Sequence, residues 1–433
     1  MKSMEPCYEK SINYLERYNK VISGASTFSK LNHFGGGKTP FALIKGKESF
    51  VWDVDGNKYI DYGSSRGQVI LGYEYQEFKD SIINQLKDGI AFSLPHGLEI
   101  EVAEMICDII PSAQMVRFGK NGNDVTSAAV RLARHVTNKE HILFCGYHGW
   151  QDWYIAQTTM NSGVPKILKS FTHRFNYNEI ESLKDLFTKY NNNVAAVIME
   201  PTRFDKPHCI GEKFCTKKEC SVACQNNFLH DVKAITKENN ALLIFDEVLI
   251  GFRLHKEGAQ KYFGVIPDLT CIGKAMANGM PLSAVVGKEK YMNKFPQIYY
   301  SLTSAGEALS LAAAKFTLEI MDKIDICGHL NQVGGRLLNG IKNLIDKYEL
   351  NDVMKIRGYP CLNNYFFVEK NKSQFTGTTL MDFWTQEIAK RGILTCETHF
   401  MNLSHTIETT EKTLGVYEDV IQLVKNLVVK GKV

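Results

Sequence analysis

The chain has 433 residues, of which 44% are hydrophobic and 23% charged, so it has the composition of a globular protein with two domains, or one large domain and a smaller companion. Its 51 Lys and Arg residues against 47 Asp and Glu residues leave a formal charge of only +4, which argues against nucleic acid or an anionic membrane as a partner. No run of about 18 apolar residues and no signal-peptide pattern occurs, so the eleven cysteines indicate reduced thiols and a cytoplasmic location.

The first 70 residues predict a short helix followed by antiparallel strands. Residues 7–22 have helical apolar spacing. The β-rich run FALIKGKESFVWDVDGNKYIDYG (41–63) has turn signals at Lys45-Gly46 and at Asp55-Gly56. We assign residues 1–70 to a smaller domain that is built from both ends of the chain.

From about Leu98 onward, helical and strand patterns alternate. Helical spacing is found at 98–110, 123–136 and 231–239, and short apolar strands are predicted at 115–119, 141–146, 194–200, 241–248, 269–273 and 282–287. This order predicts an α/β fold with a largely parallel sheet covered on both faces, which we assign to a large domain of residues 71–320. Residues 321–433, mostly helical, complete the smaller domain.

Chemically useful side chains follow four of the predicted strands. Tyr147 follows the strand at 141–146, and Glu200, Asp246 and Lys274 end or follow the strands at 194–200, 241–248 and 269–273. Ligands of open α/β sheets bind beyond the carboxyl ends of the strands. We therefore expect these four side chains to converge on one rim of the sheet.

This combination of side chains suits pyridoxal 5′-phosphate (PLP). The aldehyde needs a lysine amine, the pyridine nitrogen needs a carboxylate, and the ring needs an aromatic face. The phosphate needs backbone N–H groups at a helix N-terminus, for which Gly122-Asn123-Asp124, before a helix predicted to begin near Val125, is the candidate. Taken singly, Asn123 or Asp124 could be a helix cap and Lys274 a surface lysine, but their occurrence together and in order favours the cofactor site.

The sequence also resembles a known family. IFDEVLIGFR (244–253) followed by KYFGVIPDLTCIGKAMANGMPLSAVVG (261–287) is similar to the class III PLP-dependent aminotransferases, especially the glutamate-1-semialdehyde 2,1-aminomutase group. Weaker matches extend the similarity from about residue 40 to CETHFMNLSHT (396–406). The resemblance implies fold type I of the PLP-dependent transferases, with a mostly parallel, seven-stranded sheet in the large domain.

The resemblance implies roles for residues around the cofactor ring. Lys274 would be the Schiff-base lysine, and Asp246 would pair with the pyridine nitrogen. Val248 would pack on one face of the ring and Tyr147 would stack on the other. Glu200 would lie close to the cofactor.

Further roles concern the phosphate and the substrate. Gly122 and Asn123 would bind the phosphate, and Thr303 would reach it from the neighbouring subunit, which implies a homodimer with shared active sites. Glu397 matches a glutamate near the substrate entrance of the aminomutases.

Several positions depart from the aminomutase pattern. Residues 120–125 (KNGNDV) replace N-S-G-T-E-A at the phosphate turn, and residues 303–308 (TSAGEA) replace T-x-S-G-N-P. The second variant resembles members found in glycan and secondary-metabolite pathways. Arg66 replaces an uncharged residue, and it could bind a substrate carboxylate or phosphate, or form a structural salt bridge.

The largest departure is a cysteine-rich insertion at about 205–226. It contains Cys209, Cys215, Cys220 and Cys224, which could hold a structural Zn²⁺ or an iron–sulfur cluster. The spacing lacks the C-x2-C pairs of common zinc modules, so exposed thiols without a metal are the alternative.

We expect a PLP-dependent aminotransferase that moves an amino group from an amino donor to an aldehyde or keto small molecule. The alternative is a glutamate-1-semialdehyde-type 2,1-aminomutase, which transfers the amino group within one molecule. A third hypothesis is a binding protein of the same fold whose cysteine-rich loop recruits a partner. The intact pair of Lys274 and Asp246 argues against it.

Overall fold

The computed structural model describes residues 6–31, 39–208, 227–368 and 377–429. The chain divides into two compact units. The central unit comprises Glu77–Cys327, and the terminal unit comprises the chain up to Gln76 and from Gly328 onward. The domain limits expected from the sequence, near residues 70 and 320, stay predictions, since a compact unit need not fold independently.

Helices and strands alternate along most of the described chain. The helices are α1 (Glu9–Val21), α2 (Phe28–Leu31), α3 (Ser64–Gly67), α4 (Gln76–Asp88), α5 (Gly97–Ile109), α6 (Gly122–Thr137), α7 (Asp152–Ile155), α8 (Ile180–Lys189), α9 (Phe228–Glu238), α10 (Gly258–Phe263), α11 (Glu289–Met292), α12 (Ala308–Lys323), α13 (Ile326–Lys347), α14 (Gly377–Lys390) and α15 (Ile407–Val429). The strands are β1 (Leu43–Lys47), β2 (Phe50–Asp53), β3 (Lys58–Asp61), β4 (Met115–Gly119), β5 (His141–Cys145), β6 (Thr172–Arg174), β7 (Val194–Met199), β8 (Leu242–Asp246), β9 (Leu269–Ile272), β10 (Ser283–Gly287), β11 (Met354–Tyr359), β12 (Leu362–Phe367), β13 (Ile393–Leu394) and β14 (Thr398–Phe400). Short 3₁₀ helices occur at Lys166–Phe171, Lys274–Ala277 and Phe295–Gln297.

The central unit contains a seven-stranded sheet with the order β4-β10-β9-β8-β7-β5-β6. The β6-β5-β7-β8-β9 pairs are parallel, and β10 runs antiparallel to both of its neighbours. Every residue of β7, β8, β9 and β10 is buried, which explains their continuous apolar sequences. The predicted α/β fold with a mostly parallel sheet is confirmed.

Helix α6 packs on this sheet through a row of small and branched apolar side chains. Val125, Ala129 and Leu132 belong to one buried cluster with Ile198 of β7 and Ile244 of β8. The alanines allow the helix axis to approach the strands closely, and the cluster fixes where the helix begins. The N-terminus of α6 is thereby held at the edge where β4 ends.

The terminal unit contains two small sheets. In one, β1, β2 and β3 are antiparallel and β13 joins β3 in parallel, whereas β11, β12 and β14 form an antiparallel sheet. The turn predicted at Lys45-Gly46 is displaced, because Gly46 lies inside β1 and Glu48 has the positive φ of 55°. A Cβ atom on Gly46 would lie 2.6 Å from the ring of Tyr73, so close packing is the reason for this glycine.

The longest helix described, α15, has 23 residues. A bilayer span needs about 20 predominantly apolar residues, whereas α15 has glutamate, aspartate and lysine along its length. None of the helices in the described residues has both the length and the apolar character that crossing a membrane requires.

Candidate functional site

Four adjacent parallel strands bring the predicted side chains to one edge of the central sheet. Asp246 is the last residue of β8, and Glu200 directly follows β7. Tyr147 lies two residues beyond β5, and Lys274 lies two residues beyond β9. Because the carboxyl ends of these parallel strands meet at the same edge, the four residues lie together at the rim, as the sequence predicted.

Asp246 is buried and held by two hydrogen bonds. Its Oδ1 accepts from the Val248 N–H at 3.1 Å, and its Oδ2 lies 2.8 Å from Nδ1 of His148. The other imidazole nitrogen, Nε2, lies 3.2 Å from the carbonyl oxygen of Cys145, which can only accept. Both partners of the ring are hydrogen-bond acceptors, so the imidazole can contact them only as a donor, and the Nδ1 contact orients the Asp246 carboxylate.

His148 contacts this site through Asp246, although the sequence pattern assigned it no role. It is buried, and the Thr126 Oγ1 donates to its carbonyl oxygen at 2.8 Å, which fixes the backbone as well as the ring. Its contact with Asp246 joins residues 98 positions apart. The one available signal was its place directly after Tyr147 in a loop beyond a buried strand.

Lys274 is the first residue of a 3₁₀ helix and has a φ of +43°, an unfavourable conformation for a residue with a side chain. Burial lowers the pKa of its amine to about 8, although the Glu200 and Asp246 carboxylates oppose this change. Loss of hydration disfavours the ammonium form. A substantial fraction of the amine is therefore neutral near pH 8, as a nucleophile or proton acceptor requires.

Glu200 connects the ends of β7 and β5. Its Oε2 accepts from the Tyr147 N–H at 2.9 Å, and burial raises the pKa of the carboxyl, a rise that the Arg203 guanidinium opposes. The preceding Gly146 has a φ of +110°, and a Cβ atom there would lie 2.7 Å from Glu200 Oε2. Glycine at this position lets the carboxylate reach the loop that carries Tyr147.

The predicted phosphate turn is the first turn of α6. The helix begins at Gly122, one residue before the helical spacing at 123–136 and three before the start predicted near Val125, because Asn121 is the N-cap and the Asp124 Oδ2 accepts from its N–H at 2.8 Å. A Cβ atom on Gly122 would lie 2.8 Å from Val248 Cγ1, so only glycine fits beside the residue expected to cover the ring. Asn123 lies in the same turn, where backbone N–H groups have no partner within the helix.

Two of the departures from the aminomutase pattern contact each other. Lys120 Nζ lies 2.5 Å from Glu307 Oε1 and 3.2 Å from Ser310 Oγ. Glu307 also caps α12 by accepting from the backbone N–H groups of Leu309 and Ser310. Thr303 is exposed in the turn before α12.

Arg66 and Glu397 belong to the terminal unit. Residues 64–67 form a left-handed turn with φ values from 42° to 81°, and the Asp61 carboxylate accepts from the N–H groups of Gly63 and Ser64 at 2.8 and 3.1 Å. Arg66 lines a cavity of about 390 Å³ with a mainly apolar wall. Burial raises the pKa of Glu397, and the nearby Arg66 charge opposes the rise.

The four cysteines of the insertion, Cys209, Cys215, Cys220 and Cys224, lie outside the described residues. Within the residues that are described, no group of three or more His, Cys, Asp or Glu side chains could hold a metal ion. The predicted zinc site thus has no support from the structure.

Known proteins share this fold and sequence pattern. Residues 34–414 match the family model for class-III aminotransferases. The chain is 34% identical over 405 residues to glutamate-1-semialdehyde 2,1-aminomutase 2 of an Exiguobacterium species, a match that covers 88% of this chain and 90% of that protein. It is 30% identical over 422 residues to 3-aminobutyryl-CoA aminotransferase of Cloacimonas acidaminovorans, a match that covers 96% of this chain and 98% of that protein. The solved PLP internal aldimine form of the FumI protein of a Sphingopyxis species superposes with a TM-score of 0.84 at 25% identity, covering 97% of both chains. The chain therefore belongs to the class III aminotransferases, a family of enzymes, and the predicted similarity to the aminomutases is confirmed.

Proposed function

We propose that the chain is a PLP-dependent aminotransferase that moves an amino group from an amino donor to an aldehyde or keto small molecule. The observation that carries this proposal is that Lys274 and the buried Asp246 lie at the carboxyl ends of the neighbouring strands β9 and β8. When bound, PLP supplies an electron sink for the negative charge that forms on the substrate carbon when its proton leaves.

The residues present fit this cofactor. Asp246, held by His148 and by the Val248 N–H, would keep the ring nitrogen protonated. Val248 and Tyr147 would cover the two faces of the ring. Backbone N–H groups at Gly122 and Asn123 would bind the phosphate, where the absence of a Cβ atom on Gly122 leaves room beside Val248.

Lys274 Nζ would act as the proton carrier. With a pKa near 8, the amine can accept the proton that leaves the substrate α-carbon and then release it again. A fully hydrated lysine would remain protonated at neutral pH and could not do this. Glu200, also buried, would keep Tyr147 and its loop in place through the hydrogen bond to the Tyr147 N–H.

Replacement of Lys274 tests the assignment. We expect Lys274→Ala to lower turnover with any amino donor by at least about 10²- to 10⁴-fold, the usual contribution of a positioned acid–base group. Lys290→Ala, which alters an exposed lysine of the same unit, is the matched control and should retain full activity. Equal turnover of the two variants would contradict the proposal.

The similarity to glutamate-1-semialdehyde aminomutases favours a second candidate, intramolecular transfer within one substrate. The two functions differ in their need for an external donor. Release of a keto acid from an added amino acid supports transfer between molecules. Isomerisation of glutamate 1-semialdehyde without any donor supports the aminomutase.

We also propose that the chain acts as a homodimer in which Thr303 reaches the phosphate of the neighbouring subunit. A run of apolar side chains on the central unit is exposed: Ile83, Leu86, Ile90, Phe92, Leu94 and Ile100. Exposed apolar patches of this kind commonly mark interfaces. A partner copy would cover them.

In the terminal unit, Arg66 would bind an anionic group of the substrate and Glu397 would lie near its entrance. The left-handed turn supports this role, because strained backbone conformations occur preferentially at functional sites.

A structural Zn²⁺ at the four insertion cysteines and a cytoplasmic location stay predictions from the sequence, and the proposed chemistry requires no metal.

A further inference from the structure

Arg203 lies at the same edge of the central sheet as Lys274, in a short loop whose backbone is fixed. It follows Glu200 by three residues, directly after the buried Pro201 and Thr202. The Tyr177 hydroxyl donates to the carbonyl oxygen of Pro201 at 2.7 Å, and the Thr202 Oγ1 donates to that of Asp205 at 2.7 Å. The backbone on both sides of Arg203 is therefore anchored, although its side chain is exposed.

The Arg203 guanidinium is not used by the fold itself. It lies over the ring of Phe204, with its carbon 5.4 Å from the ring centroid, and within the described chain no hydrogen bond or ion pair engages it. Its five N–H donors are thus available, and stacking on Phe204 limits the conformational freedom that binding would cost.

The charge of Arg203 acts directly on the groups at the rim. Burial is the main cause of the lowered pKa of Lys274, and Arg203 adds to this lowering. Burial also raises the pKa values of Glu200 and Tyr147, and Arg203 opposes both rises. Arg203 thus lies three residues beyond Glu200, at the edge where β7 ends, and its charge acts on three side chains of that rim.

We propose that Arg203 binds the carboxylate of the amino donor. This proposal rests on the aminotransferase function and specifies its donor class as amino acids rather than simple amines. A carboxylate matches the planar fork of a guanidinium and can accept two parallel hydrogen bonds from it. Anchored beside the rim, Arg203 would hold the donor with its α-carbon near Lys274 Nζ, so it is a specificity-determining residue.

The test compares Arg203→Gln with Arg17→Gln. Arg17 is the matched control, because it too is exposed and has its guanidinium carbon 5.4 Å from an aromatic centroid, that of Tyr14 in the terminal unit. For the holoenzyme, the best amino acid donor is compared with the amine that differs from it only by lacking the carboxylate. Arg203→Gln is expected to raise the KM for the amino acid about 10- to 100-fold with little change in kcat, to leave the amine unaffected, and to be partly rescued by Arg203→Lys.

A second measurement separates this proposal from the proposed function. Succinate has no amine to react, so its calorimetric binding to the holoenzyme reports carboxylate recognition without turnover. We expect binding about 10- to 100-fold weaker in Arg203→Gln and unchanged in Arg17→Gln. Equal KM values and equal succinate affinity in Arg203→Gln and the wild-type protein would overturn the role of Arg203. Absence of turnover by the wild-type protein with every donor, despite succinate binding that depends on Arg203, would instead overturn the aminotransferase assignment.

Discussion

Lys274 follows a buried strand, and burial and the carboxylates of Glu200 and Asp246 act on its amine in opposite directions. Removal from water favours the neutral amine, whereas the two carboxylates favour the ammonium form, and the net result is a pKa of about 8. For this single residue, the balance between burial and the two carboxylates sets how much of the amine is neutral. It makes the amine reactive at the pH at which a cell works.

The lowered pKa predicts how the cofactor-free protein captures PLP. The neutral amine is the nucleophile, so the rate of capture should rise with pH and level off above a midpoint near 8. Stopped-flow absorbance after mixing with PLP across a pH series measures this rate. A midpoint near 10.5, the ordinary value for lysine, would show that burial does not activate Lys274.

Sequence patterns predict which residues lie at the rim, but they predict less about what each residue contacts. Asp246 and Lys274 follow apolar strands, and that signal is local. The partnership of Asp246 with His148 depends on strands that are distant in the chain being close in space. Gly46 was likewise misassigned to a turn. The glycine is needed because the ring of Tyr73 excludes a side chain there, and that contact cannot be seen in the local sequence.

At the scale of elements, buried parallel strands were predictable because β7, β8 and β9 are continuous apolar runs covered on both faces. The first residue of α6 was not predictable, because a glycine at the first position of a helix has no distinctive local signal. The left-handed turn of α3 was also missed, since three of its four residues are not glycine and the Asp61 carboxylate holds it.

The start of α6 yields a stability prediction. Gly122→Ala should lower the free energy of unfolding by about 1–3 kcal/mol and weaken PLP binding, because its Cβ atom would lie 2.8 Å from Val248. Gly97 is also the first residue of a helix, α5, with no atom within 4 Å of an added Cβ atom, so Gly97→Ala is the control. Urea unfolding and a PLP titration of both variants provide the measurements. Equal stability and equal PLP affinity would mean that Val248 does not require glycine at position 122.

At the scale of the whole molecule, the exposed apolar run of the central unit predicts self-association. Light scattering should give a native mass of twice the 49.0 kDa of one chain. A Leu94→Glu, Ile100→Glu double variant should shift this mass toward the monomer, since those side chains are 79% and 64% exposed and would become buried at the interface. Ile266→Glu, at an exposed apolar position outside the run, should leave the mass unchanged. A wild-type monomer at all concentrations, or a dimer that tolerates both charges, would contradict the interface.

In the proposed aminotransferase, Lys274 is the residue that binds PLP covalently. Borohydride reduction of the holoenzyme converts the labile carbon–nitrogen bond between lysine and cofactor into a stable one, and peptide mass spectrometry then locates the attached group. We expect a single modified peptide, with the added mass on Lys274. Modification of another lysine, or no stable adduct in a protein that turns over amino donors, would contradict it.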